Sequence, residues 1–208
     1  RLLSHHYIDL GIAQTDLIQY AYNGRNAFEN NICRGYKAVS SLYTEACQIV
    51  VRNDSDIQTL DDLQGRKVSI GAAESGTERN AKEILSFSGL NDQLVETVNL
   101  DYTKAASMLA SGKIDAFFCT AGIRTTVIDE LNKECKIRLL SIDEKCMKKL
   151  QKAYPFYVKY TIPANTYFGQ STQVETLGVK SILLASDNLS DETVKEITRL
   201  LFKHSKDM

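Results

Sequence analysis

The chain has 208 residues, 25 Lys plus Arg against 26 Asp plus Glu, and a formal net charge of −1. At roughly 150 residues per domain that is one or two domains, and the balanced charge excludes the basic excess that marks nucleic-acid and anionic-membrane binders. Apolar residues at 43% and charged residues at 25% are the mix of a chain that buries a core, not of a disordered one.

No apolar run approaches the ~18 residues of a membrane helix. The sequence opens at Arg1, inside a structured pattern and with neither Met nor a signal peptide, so a segment upstream is expected. The five cysteines (Cys33, Cys47, Cys119, Cys135, Cys146) are odd in number and show neither CxxC nor zinc spacing. Cys119 lies in an apolar run and is expected to be buried; Cys135 and Cys146 could pair.

In chain order, residues 8–13 read as a strand and 41–51 as an extended, β-rich stretch. From 52 to 154 strand and helix alternate. Residues 67–71 form a short strand entering a Gly-rich turn. In 76–88, Ala81, Ile84, Leu85 and Ser88 fall at helical spacing. A strand over 95–100 precedes a helix over 102–110, with Asp101 as its N-cap and Tyr102, Ala105, Ala106 and Leu109 on one face. A buried strand over 116–119, a helix within 123–133, a strand over 137–142 and a helix over 145–153 follow, the last stopped near Pro155. Residues 156–162 are again extended. Residues 176–185 read as a long strand, and Ser190 caps a helix with Val194, Ile197 and Leu201 as its core stripe.

Repeated strand–helix units predict an α/β fold with a mainly parallel sheet and helices on both faces. A block entered and left through two extended segments reads as an inserted domain. The expected division is 1–48 with 158–208 as a first lobe and 49–157 as a second. A short repeat supports two similar lobes. Leu3, Ile8 and Asp9 match Leu109, Ile114 and Asp115 at one register, which places Gln14 and Thr120 equivalently at two strand ends. Open α/β sheets bind ligands beyond that end.

The segment Gly71-Ala72-Ala73-Glu74-Ser75-Gly76-Thr77-Glu78 joins a strand to a helix. Ser75 and Glu78 have capping-box spacing, with Ser75 capping the N3 amide and Glu78 returning to the Ser75 amide. The remaining N–H groups, the Thr77 hydroxyl and the positive helix end suit an anion, although a plain helix cap reads equally well. Neither a Walker A loop nor a dinucleotide fingerprint is present. Thr120-Ala121-Gly122 repeats the strand-end logic with small residues that admit a ligand to the backbone. Arg124 reads as a solvated helix residue that could pair with a carboxylate. Tyr43 and Tyr167 lie near the two crossovers, as hinge packing or ligand contacts. His5-His6 reads as an exposed turn, His204 as solvated on the terminal helix, and Cys119 lacks a nearby His to activate it. The pattern argues for binding over catalysis.

Seven segments together resemble one family: DLGIAQTD at 9–16, AYNG at 21–24, LYTE at 42–45, LDDLQGRKVSIG at 60–71, SGTE at 75–78, GKIDAFF at 112–118 and TIPANTY at 161–167. They are similar to the TAXI-type solute-binding proteins of TRAP transporters, the extracytoplasmic immunogenic-protein family. The resemblance implies a type II periplasmic-binding-protein-like fold, two α/β lobes joined by two crossover segments. It implies a periplasmic, monomeric receptor that captures a small organic anion between the lobes. Glutamate, 2-oxoglutarate or a related carboxylate is the substrate class, and a TRAP permease in the membrane is the partner. No cofactor, metal or nucleic acid is implied.

Carried over by position, Ser75, Gly76 and Thr77 would hold one carboxylate through amides and hydroxyls. Thr120, Ala121 and Gly122 would touch the ligand body, Gln14 would reach in from the first lobe, and Tyr43 and Tyr167 would wall the cleft. The family's first strand and helix have no counterpart before Arg1, and its C-terminal tail has none after Met208, so a fragment with an incomplete site is expected. Five cysteines are also unusual for such an envelope protein. Two other readings share the architecture: an effector-sensing domain of a transcription regulator, and a transferase acting on a small acid.

Overall fold

A computed structural model describes residues 1–25 and 28–203; the expectation for His204 lies outside them. The chain divides into two compact units, 1–43 with 180–208 and 44–179. The elements are β1 (Leu10–Gln14), α1 (Thr15–Asn23), β2 (Tyr36–Arg52), β3 (Lys67–Ser69), α2 (Gly76–Phe87), β4 (Glu96–Val98), α3 (Tyr102–Ala110), β5 (Ala116–Ala121), α4 (Thr126–Glu134), β6 (Ile137–Leu139), α5 (Glu144–Ala153), β7 (Val158–Ile162), β8 (Val174–Ser186) and α6 (Asp191–Lys203). The chain passes from one unit to the other within β2 and again within β8.

The unit 44–179 is built on a three-stranded parallel core, β4–β3–β5, with Lys67 opposite Glu96 and Val68 opposite Ala116. The far edge of β5 pairs antiparallel with β2, Ala46 opposite Ala121 and Val51 opposite Ala116. β6 is antiparallel to β2 as well. The sheet is therefore mixed where the strand–helix alternation predicts a mainly parallel one, because the long entering strand inserts as a ladder partner. Side-chain alternation explains the unbroken apolar runs. Ile49, Val51, Val68 and Phe118 face a layer containing Ile84 of α2 and Leu150 of α5. Val50, Phe117 and Cys119 face the opposite layer, with Leu109 of α3 and Ile128 of α4.

Relative to the expected boundaries, this unit also takes in 44–48 and 158–179. β7 pairs antiparallel with the first half of β8, Ile162 opposite Val174 and Val158 opposite Gly178. Cys47, Leu177 and Val179 are buried with its core, which ties both crossover segments to it.

In the other unit, β1 pairs antiparallel with the second half of β8, Leu10 opposite Ala185 and Gln14 opposite Ser181. α1 follows without a break and ends at Gly24, whose left-handed backbone (φ 61°) returns its N–H to the Tyr20 carbonyl. A cavity of about 290 Å³ is lined by apolar side chains including Leu3, Ala13, Leu17 and Leu184. Ser190 caps α6 as its spacing predicts, accepting from the Thr193 amide at 3.1 Å. The expected core stripe of α6 is only half-buried: Val194, Ile197 and Leu201 are all intermediate, and no α6 residue is fully buried. In the expected His turn, His6 Nδ1 lies 2.9 Å from Ser186 Oγ. None of the five cysteines forms a disulfide, so Cys135 and Cys146 do not pair.

Candidate functional site

The junction from β3 to α2 is shaped by Gly71. Its φ is +94°, and a Cβ there would lie 2.8 Å from the Thr77 side chain, so both conformation and close approach require glycine. Its carbonyl accepts from the Leu100 amide (3.1 Å) and from Asn99 Nδ2 (3.0 Å), which turns it toward the start of α3. Ser75 Oγ accepts from the Glu78 amide at 3.1 Å, the expected half of the capping box. The other half differs. Glu78 accepts from the Glu74 amide at 2.6 Å, while the Ser75 amide donates to the Ala72 carbonyl. Glu74 is left-handed (φ 62°), and its amide takes the place foreseen for that of Ser75. Burial works to raise the Glu78 carboxyl, but Lys82, the Glu74 amide and Asn99 hold it below the usual range.

The Gly76 and Thr77 amides have no protein acceptor among the described residues. These are the first-turn donors that a helix leaves unsatisfied, at its positive end. Thr77 is 4% exposed, and its hydroxyl belongs to a closed ring. The Thr120 amide donates to Thr77 Oγ1 (3.4 Å), Thr77 meets the Tyr102 hydroxyl (2.5 Å), and Tyr102 donates to the Thr120 carbonyl (3.0 Å). A carbonyl only accepts, so the phenol proton goes to Thr120 and the Thr77 proton goes to the phenol oxygen. The Thr77 hydroxyl is thus committed to the fold, and what it leaves for a ligand is its backbone N–H. Burial first, and the neighbouring Cys119 second, push the Tyr102 hydroxyl well above its usual value.

Thr120 is buried in β5 and turns its hydroxyl to Cys47 Sγ at 3.6 Å. Ala121 closes the strand opposite Ala46, and Ala121 and Gly122 are half-buried. Arg124 pairs with Asp129 at 2.6 Å. Cys119 is fully buried, and burial pushes its thiol up to about 12. It stays protonated at neutral pH and is a poor nucleophile.

Ser75, Gly76, Thr77, Thr120, Ala121 and Gly122 thus gather at the ends of the neighbouring parallel strands β3 and β5, with Thr77 and Thr120 in direct contact. Tyr167 belongs to the same unit but is 1% exposed, packed in the core with Phe117 and Ile128. Gln14 and Tyr43 belong to the other unit. Gln14 ends β1 and N-caps α1 without a side-chain cap bond, and Tyr43 is 51% exposed on β2. β1 and β5 each lie antiparallel to a long crossover strand, and the repeat places Gln14 and Thr120 at their ends.

The sequence does not single out Tyr102 as a site residue, nor the buried bonds by which Gln48 meets Tyr167 and Thr125. Tyr102 stood in the sequence as the one hydroxyl on an otherwise apolar α3 face. Gln48 stood as the one polar residue in the run 46–51. No group of three metal-ligating side chains occurs among the described residues, and no described helix is long and apolar enough to cross a membrane.

This architecture recurs in solved structures. The periplasmic aliphatic sulphonate binding protein SsuA from Escherichia coli aligns at TM-score 0.61 and 18% identity, over 99% of this chain and 56% of that one. An ancestral arginine-binding protein bound to arginine aligns at TM-score 0.57 and 15% identity, over 99% and 70%. A structure from work on glutathione import via GshT and the cystine ABC importer TcyBC of Streptococcus mutans aligns at 0.57 and 12%, over 99% and 67%. The chain thus spans little more than half the length of SsuA, and these likenesses establish the α/β fold of periplasmic binding proteins. A family model described as NMT1-like matches residues 1–208. The chain belongs to the NMT1-like family.

Proposed function

We propose that this chain is the solute-binding part of an extracytoplasmic transport receptor. It captures a small organic anion at the β3–α2 and β5–α4 junctions and hands it to a membrane permease. The observation that carries the reading is the pair of unpartnered Gly76 and Thr77 amides, held in place by the Thr77–Tyr102–Thr120 ring at the carboxyl ends of parallel strands. The small residues Ala121 and Gly122 leave the backbone of the second junction approachable. Supporting it are the NMT1-like family and a fold shared with proteins described as binding sulphonates and arginine.

The ligand head is a carboxylate or a sulfonate, since either presents oxygens to two N–H donors. The TAXI-like segments favour a carboxylate such as glutamate or 2-oxoglutarate, with a TRAP permease as partner. A binding role in place of a catalytic one rests on the buried, protonated Cys119, the best nucleophile the sequence offers.

A thermal-shift panel tests the reading: glutamate, 2-oxoglutarate, succinate, malate, ethanesulfonate, arginine, glutathione and neutral sugars. A ligand at ~100 times its dissociation constant stabilises the native state by about 2.7 kcal/mol. The reading expects a shift with one acid class and none with the sugars. No shift with any acid, from protein stripped of co-purified ligand, would remove it.

A further inference from the structure

Gln48 is a buried polar residue of the unit 44–179 that lies outside the site described. It lies in β2 within the apolar run from Ala46 to Val51, is 1% exposed, and carries an amide into the core. An amide left unsatisfied there would cost several times the net worth of one hydrogen bond. It is not left so. Gln48 Oε1 accepts from the Tyr167 hydroxyl at 2.5 Å, and Gln48 Nε2 donates to Thr125 Oγ1 at 2.8 Å. Thr125 Oγ1 donates to the Gly122 carbonyl at 2.9 Å, and the Thr125 amide donates to the Tyr167 oxygen at 2.9 Å.

Proton counting fixes every direction. The Gly122 carbonyl can only accept, so Thr125 spends its proton there and must accept from Gln48. The Tyr167 oxygen accepts the Thr125 amide and sends its own proton to Gln48. Reversing the Gln48 amide would leave the phenol proton without an acceptor. The ring joins β2, the segment between β7 and β8, and the junction between β5 and α4. Thr125 is the N-cap of α4 yet makes no side-chain cap bond to that helix; its hydroxyl donates to Gly122 and its oxygen accepts from Gln48 instead.

We propose that Gln48, Tyr167 and Thr125 are positioning residues that hold Gly122 and the start of α4 in the arrangement the ligand meets, without touching the ligand. This rests on the anion-binding reading above and gives Tyr167 a part other than a cleft wall. It also pairs with the first ring. Tyr102 fixes the β3–α2 junction and Tyr167 fixes the β5–α4 junction, each phenol closing a cycle of three residues.

The test is amide hydrogen exchange on purified protein without ligand, read residue by residue, beside titrations with 2-oxoglutarate and ethanesulfonate. Tyr167→Phe should speed exchange of the Thr125 amide about tenfold or more, while Ile84 and Leu85 in α2 keep their protection. Binding of whichever probe the wild type takes should weaken about tenfold. Gln48→Glu supplies a second, independent readout. The introduced carboxylate accepts from Tyr167 but cannot donate to Thr125, whereas the protonated acid can do both. Its Thr125 protection, taken relative to wild type at the same pH, should fall as the introduced carboxyl ionises and recover in acid, the midpoint lying above the usual carboxylate range because the site is buried.

Unchanged Thr125 protection in both variants would overturn the inference. So would equal loss throughout the unit, which would mark the ring as general stability. Should Tyr167→Phe fail to fold, the pH-dependent rescue of Gln48→Glu decides alone. A wild type that binds neither probe removes the binding reading, and the exchange data still judge the ring.

Discussion

The two compact units differ in how completely they bury what their sequences offer. In 44–179 every helix sinks a face: Ile84 and Leu85 of α2, Ala105 and Leu109 of α3, Ile128 and Leu131 of α4, Cys146 and Leu150 of α5. Three of those helices are capped by a side chain, from Ser75, Asp101 and Asp143. In 1–43 with 180–208, α6 buries nothing fully, α1 has no side-chain cap, and Leu10 and Ile12 of β1 are 40% and 60% exposed. The contrast explains why closed polar rings occur where they do. A hydrogen bond is decisive only where water is excluded and its loss leaves a buried group unpaired.

Core truncation should show the contrast most strongly. Phe117→Ala, at a fully buried site, should cost about 3–5 kcal/mol in chemical denaturation, whereas Ile12→Ala should stay within about 0.5 kcal/mol. Equal costs would mean that the two units do not differ in this way.

Gly71→Ala comes next. It meets a left-handed backbone and a 2.8 Å approach to Thr77 together, so it should cost more than the ~1 kcal/mol of an ordinary misplaced glycine substitution. It should also loosen the Thr120 amide by shifting Thr77. A helix cap should matter less: Asp101→Ala or Asp143→Ala should each cost about 1 kcal/mol.

The smallest effect is a pH effect at Glu78. Its folded carboxyl is held below the usual range, so its contribution is present above the unfolded value and is lost as pH falls through the folded one. The stability gap between wild type and Glu78→Gln should therefore close in acid and stay constant from neutral pH upward. A gap that widens in acid would contradict the Glu74 and Lys82 contacts as the cause. Thiol chemistry gives a separate check. With its thiol near 12, Cys119 should resist iodoacetamide in native protein at pH 8 and react once the chain is unfolded.

Much of the fold is legible in the sequence where punctuation marks it. Ser75, Asp101 and Ser190 announce their helices, and Tyr154 before Pro155 ends α5. α1 escapes because β1 runs straight into it. Gln14 is at once the last strand residue and the helix cap, with no Ser, Asp, Gly or Pro between. The strand ends that carry the candidate site are readable from the change of apolar run to small and polar residues. The rings are not, since their partners are remote: Gln48 meets Thr125 at 77 residues' separation and Tyr167 at 119. Spacing also cannot reveal that Glu78 bonds the Glu74 amide, because that depends on Glu74 adopting a left-handed backbone.

In the proposed function the α2 N-terminus binds an organic anion through backbone donors. The direct measurement is a titration of isotope-labelled protein with 2-oxoglutarate, and in parallel with ethanesulfonate, following the amide resonances. The Gly76 and Thr77 amides should move first and furthest, with Ala121 and Gly122 behind them, in a saturable curve. Saturable binding that leaves Gly76 and Thr77 unmoved and shifts residues elsewhere would contradict it.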